Sequence, residues 1–201
     1  MSQIFNRIQF LFVAVLAALL PVSAAAQSAA PSPTPRHQIP AAVMPCEPEE
    51  AQWWEALREA GHTAAAAKYR RRNAGDATPA EKARLEREAA NAVERYFALL
   101  REGITNQYRV PLPDSRPVAL YMQAARYTEQ ARGAGIKGGV AVRYDALADG
   151  GVTNFVVLHG LGGGLDENAI EALRQMLFLP AVQAGKFVMN RDVATFSFNL
   201  Y

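Results

Sequence analysis

The residues best placed to do chemistry lie in one run, FVVLHGLGGGLDENAIEAL, from Phe155 to Leu173. It reads as an apolar strand, a glycine-rich loop and the opening of a helix, the order in which backbone N–H groups cradle phosphate. A dinucleotide fingerprint places glycines first, third and sixth. Counted from Gly160, the third place is Gly162 but the sixth is Leu165; counted from Gly162, the sixth is Glu167. No Gly-Lys-Ser/Thr closes the loop, as a P-loop requires. No G-x-S-x-G elbow exists to make HGLGGG an esterase's oxyanion loop. The loop is therefore read as a connection rather than a phosphate cradle.

The remaining candidates are dispersed. His37, His62 and His159 sit in separate segments, and no HExxH or Cys/His spacing points to a metal. His159 has no partner to make it a base and reads as a structural or solvated loop residue. The acid pairs Glu49-Glu50 and Asp166-Glu167 fall at helix starts, where negative charge is favourable. Arg70-Arg71-Arg72 falls at a helix end, where the dipole favours positive charge; its rival reading is a grip on an anionic partner. With no catalytic constellation, no cofactor site and a single cysteine, Cys46, the chain is expected not to be an enzyme and to hold no internal disulfide.

Charge excludes little else. Across 201 residues the net charge is +2, and Arg7 is the one charged residue before position 27. Such neutrality gives no reason to expect nucleic acid. The N-terminus is more telling. Arg7 precedes the apolar run Phe10–Leu20, then Pro21 and Ala24-Ala25-Ala26, the pattern of a secretory signal cleaved after about Ala26. Eleven apolar residues at about 1.5 Å each do not cross a hydrocarbon core of roughly 30 Å. Periplasmic export is the expectation; an inner-membrane anchor facing the periplasm is the alternative, with membrane contact only if this segment is retained.

The elements that must position any site follow in order. Residues 27–46 carry five prolines and read as an extended tether. Residues 47–102 read as a helical hairpin. Thr78-Pro79-Ala80-Glu81 is a start signal, and Leu85, Ala89, Val93, Tyr96 and Leu100 form one apolar stripe. Trp53, Trp54, Leu57 and Tyr69 are the partners for that stripe, with an interruption at Gly61. Residues 103–117, with VPLPDSRP, read as a linker. Beyond it, a short helix around YTEQARGA ends at Gly133 or Gly135. The strand GGVAVRYDA places Val140, Val142 and Tyr144 on one face. A turn at Ala148-Asp149-Gly150-Gly151 leads to the returning strand VTNFVVL. Asp166 then caps a helix burying Ile170, Leu173 and Leu177, and VATFSFNLY alternates as a final strand. Residues 118–201 are thus an α+β domain of helix–strand–strand–helix–strand order.

These residues resemble a family. YTEQARGAGIKGGVAVRYDALADGGVTN, then LDENAIEALRQMLFLPA, then Gly185-Lys186 before the last strand, are similar to the C-terminal domain of TonB proteins, over residues 127–201. Thr128 stands where the family usually has proline, and Met176 where it has tryptophan; Phe178, Pro180 and Ala181 remain. The resemblance implies a small antiparallel sheet that takes up a short peptide of an outer-membrane transporter as an added strand. It places the receiving edge on the last strand, at Val193, Ala194, Thr195, Phe196, Ser197, Phe198 and Asn199. A homodimer through the same edge is a rival occupant. Two function classes stay open: a TonB-like protein supporting TonB-dependent transport, and a soluble periplasmic binding or adaptor module with no role in energy transduction.

Overall fold

The computed structural model describes residues 38–199. The expected signal segment, the tether up to His37 and the last two residues lie outside the described residues.

Two helices open the described chain, and both begin where the sequence signals them. Helix α1 spans Pro48–Arg72 and α2 spans Pro79–Thr105. The cap of α2 is reciprocal: Thr78 Oγ1 accepts from the Glu81 N–H at 3.3 Å, and Glu81 Oε2 accepts from the Thr78 N–H at 2.9 Å. Pro79 fills the first helical position, whose N–H has no intrahelical partner. Trp53, Trp54 and Leu57 of α1 pack with Tyr96 and Leu100 of α2 in one core, so the hairpin forms from the stripe the periodicity marks. Gly61 does not interrupt α1. The missing side chain lets other groups close on the helix: a Cβ there would lie 2.5 Å from Ile39 Cδ1 and 3.1 Å from Tyr96. That packing outweighs the roughly 1 kcal/mol a mid-helix glycine costs.

The rest is α+β, as expected, with more strands than the sequence marks. Strand β1 is Val118–Tyr121, and the short helix α3 is Glu129–Gly133. Strands β2 (Gly138–Ala146) and β3 (Val152–His159) form a hairpin over the expected turn. Helix α4 (Leu165–Arg174) precedes β4 (Leu177–Leu179), β5 (Ala181–Gln183), β6 (Lys186–Val188) and β7 (Asn190–Phe198). The main sheet has the order β3-β2-β7, all antiparallel; β1 pairs with β4, and β5 with β6. Val140, Val142 and Tyr144 face inward together with Phe196 and Phe198 of β7, against Leu165, Ala169 and Leu173 of α4.

Asp166 does not cap α4. Gly162, Gly163 and Gly164 all have positive φ and turn the chain so that Gly164 is the cap. The Asp166 carboxylate instead accepts from the Leu161 N–H at 2.8 Å and the Gly162 N–H at 3.3 Å. Leu177 lies in β4 rather than on the helix, because α4 ends at Arg174.

Two segments read as plain connections are packed. Ile39 is buried, and its N–H donates to His62 Nε2 at 3.0 Å. Val110 and Leu112 are buried in the hairpin's core, the Val110 N–H donates to the Gly185 carbonyl at 2.8 Å, and Ser115 bridges to Val182. Isolated apolar residues among prolines carry no periodicity, so their docking is a tertiary fact. No described helix is long and apolar enough to cross a membrane.

Candidate functional site

The glycine loop first. Two of its amides point at Asp166 of its own chain, and the Gly163 carbonyl accepts from Thr128 Oγ1 at 2.5 Å. A phosphate cradle needs those amides free, so the loop is a brace between β3 and α4. His159 is exposed at the end of β3, opposite Ala141. Among the described residues no cluster of His, Cys, Asp or Glu could hold a metal.

The expected edge residues come together differently. Val193 to Phe198 lie in β7, and Asn199 follows it directly. One side of β7 is paired with β2 along its whole length, from Ala146↔Asn190 to Gly138↔Phe198. No described strand pairs with its other side. Side chains alternate as a half-buried strand requires: Phe196 and Phe198 are buried and Ala194 is half-buried, whereas Val193, Thr195, Ser197 and Asn199 are exposed. Val193 leaves 48% of its surface to solvent, an open apolar position on an unpaired edge.

That edge opens onto a groove of about 700 Å³. Six consecutive residues of β7, Asp192–Ser197, line it, while Phe198 and Asn199 do not. Tyr144, Met176 and Phe178 contribute from the domain's core. Facing residues come from the chain that runs through β1 and on towards α3: Pro117, Ala119 and Met122–Ala125. This chain runs alongside β7. Near one end Arg116 pairs with Asp192 at 3.3 Å, and near the other the Tyr127 ring meets Phe198 edge-on with centroids 5.7 Å apart. Tyr69 and Arg72 of α1 complete the lining. Arg72 Nη1 donates to the Met122 carbonyl at 3.1 Å, which ties the hairpin to the facing chain.

Electrostatically the groove is quiet at its centre. Burial, and then the charge of Asp192, pushes the Tyr144 hydroxyl up to about 12, so Tyr144 stays neutral at physiological pH. Asp145, next to it on the opposite face of β2, is held at about 2 by hydrogen bonds from Arg191 and Asn154. Its charge fixes the start of β7 against β2 through Arg191 Nε at 2.7 Å. Met122 to Ala125, Tyr69 and Arg72 are absent from the sequence-derived site. An irregular stretch has no period, and a helix end gives no sign of which sheet it meets.

Residues 123–200 match the family model of the Gram-negative bacterial TonB protein C-terminal. This segment is a TonB C-terminal domain. A solution NMR structure of the Pseudomonas aeruginosa TonB C-terminal domain is 29% identical, with 44% of this chain and 91% of that chain covered and a TM-score of 0.37. No curated protein matches. The TonB C-terminal domain supplies β7, β2, β3, α3 and α4, whereas Pro117, Ala119, Met122, Tyr69 and Arg72 of the groove lie before the matched residues.

Proposed function

We propose that this is a periplasmic TonB-like protein that receives an extended peptide segment of an outer-membrane transporter as an added strand along β7, in support of TonB-dependent transport. The observation that carries the reading is the unpaired side of β7 opening onto a groove of about 700 Å³. An edge strand offers N–H and C=O groups to any extended chain, so affinity comes from the main chain and specificity from alternate side chains. Six residues of β7 at roughly 3.3 Å each would offer about 20 Å of edge. The TonB C-terminal domain supports a TonB-like role in envelope transport and a non-enzymatic one. Export through the segment ending at about Ala26 belongs to the same proposal.

The test is photo-crosslinking in a Gram-negative host with a benzoylphenylalanine at Val193. Adducts with the N-terminal segments of outer-membrane transporters are expected. They should vanish when Ala124, exposed on the facing chain, is replaced by tryptophan to fill the groove. Adducts only with a second copy of the chain would make the edge a dimer seam. Adducts only with a soluble envelope protein would make it an adaptor.

A further inference from the structure

Beside the groove lies a second recess, of about 480 Å³, where the two share Arg72 and Gln123. Four cations line it: Arg71 and Arg72 from the end of α1, Lys82 from the start of α2, and Arg126 from the chain before α3. Glu86 is the one carboxylate in the lining, and Arg71 already holds it at 2.7 Å. Lys82, Arg72 and Arg126 have no carboxylate within ion-pairing distance among the described residues.

Helix stability accounts for only part of this cluster. Arg71 and Arg72 stand in the last turn of α1, where positive charge is favourable. Lys82 stands at the opposite kind of end, four residues after the Thr78 cap of α2, where the dipole disfavours a cation. Its exposed ammonium and the exposed Arg126 guanidinium approach the recess from two different elements. Nε2 of Gln123 donates to the Ala124 carbonyl and Nε2 of Gln175 to Glu171, which leaves each amide one hydrogen for an anion. Arginine forks suit carboxylate oxygens in geometry as well as charge.

We propose that this recess is a carboxylate subsite: the peptide taken up along β7 carries an acidic side chain that leaves the groove past Arg72 and seats among Lys82, Arg126 and the free donors of Arg72. The inference rests on the strand-addition reading and adds to it a specificity that the helical hairpin supplies. Three of the four cations belong to α1 and α2, so the hairpin acts as a reader of peptide charge. It would select against peptides that are neutral or basic at that end.

The test uses the full chain and blocked synthetic peptides with a Thr-Val-Thr-Val-Thr-Val body. Each peptide carries two glutamates, or two glutamines, at its N-terminal or its C-terminal end. Affinity is read by fluorescence anisotropy and the contact by the amide resonances of residues 193–199. The glutamate peptide of one polarity should bind roughly tenfold tighter than its glutamine twin at low salt. The advantage should shrink as salt shortens the screening length. Lys82→Glu with Arg126→Glu should erase it while the glutamine peptide binds as before, and Lys82→Gln with Arg126→Gln should reduce it part-way. Equal affinity for glutamate and glutamine peptides, or a preference that survives the double charge reversal, overturns the subsite and leaves strand addition standing. A charge-dependent glutamate peptide that leaves the amides of residues 193–199 unmoved would keep the anion site and overturn its link to β7. If neither peptide binds, both readings fall.

Discussion

His62 shows how a single side chain fixes the path of an otherwise featureless segment. Its Nε2 accepts the Ile39 N–H, and Ile39 fills the space left by the absent side chain of Gly61. Burial, and then the nearby charge of Arg58, lowers the His62 pKa below its ordinary 6.5. The neutral ring is therefore the form the folded protein prefers. The stability this adds is fully present above about pH 6.5 and is lost as pH falls through the lower folded value. Ile39 methyl resonances should accordingly move towards exposed positions as pH falls from 7 through the lowered His62 value. A His62→Gln variant, which keeps an acceptor without a titration, should hold them still; identical spectra for both proteins throughout an acid titration would remove His62 from the latch. Asp145 titrates in a separate window. Its folded carboxyl is held at about 2 by Arg191 and Asn154, below the roughly 3.9 of an unfolded aspartate. Its contribution is present above about pH 4 and disappears as pH falls towards 2. Urea titrations at pH 2, 3 and 4 should show a steeper loss in the natural protein than in Asp145→Asn.

At the scale of elements, the hairpin was legible because its signals are local. Thr78 and Glu81 are three residues apart, and the stripe from Leu85 to Leu100 repeats every helical turn. Strands β2 and β7 were legible for the same reason, since nine-residue strands with alternating apolar faces state their own period, and the eight-residue β3 was legible as the return from the turn at Ala148-Asp149-Gly150-Gly151. Strands β1, β4, β5 and β6 were not, because three or four residues cannot display an alternation and their pairing depends on neighbours distant in sequence. In the candidate site the last strand could be read from its alternation, its place as the receiving edge came from the family resemblance, and its facing wall could not be read. Gly103, which the sequence reading assigned to the linker, lies within α2, because the helix runs on to Thr105. A Cβ there would lie 2.0 Å from Cζ2 of Trp53, so the two helices pack through the glycine's open face. Gly103→Ala gains the roughly 1 kcal/mol of helix propensity but forces a rigid indole aside, which costs about 3 kcal/mol. Net destabilisation is expected in urea unfolding. Gly75, with nothing within 4 Å of a Cβ, is the control: Gly75→Ala should be neutral or slightly stabilising. A Gly103→Ala protein as stable as that control would mean Trp53 is free to swing away.

At the scale of the whole molecule, the hairpin and the TonB C-terminal domain share more than a boundary. Leu120 and Tyr121 of β1, Leu177 and Leu179 of β4, and Val182 of β5 lie in the same core as Trp54, Leu57, Tyr96 and Leu100. The hydroxyl of fully buried Tyr96 donates to the Phe178 carbonyl at 2.9 Å, from α2 into β4. A hairpin hung on a flexible linker would unfold by itself, whereas one that completes the domain's core should unfold with it. The two tryptophans, Trp53 and Trp54, both lie in α1 and report on the hairpin and on the core it shares with β1, β4 and β5. The amide resonances of Val140 and Phe196 report on the sheet. In a urea titration the two sets of probes should give one midpoint. Tyr96→Phe leaves the Phe178 carbonyl without its buried donor, a loss of about 1–3 kcal/mol, and should lower both midpoints together. If tryptophan fluorescence shifts while the sheet resonances keep their midpoint, the hairpin is a separate folding unit, and its hold on the groove through Arg72 is only a surface contact. If both shift equally, the wall that faces β7 is as stable as the strand itself. The groove then stands pre-formed, and an incoming peptide is ordered without the protein having to be.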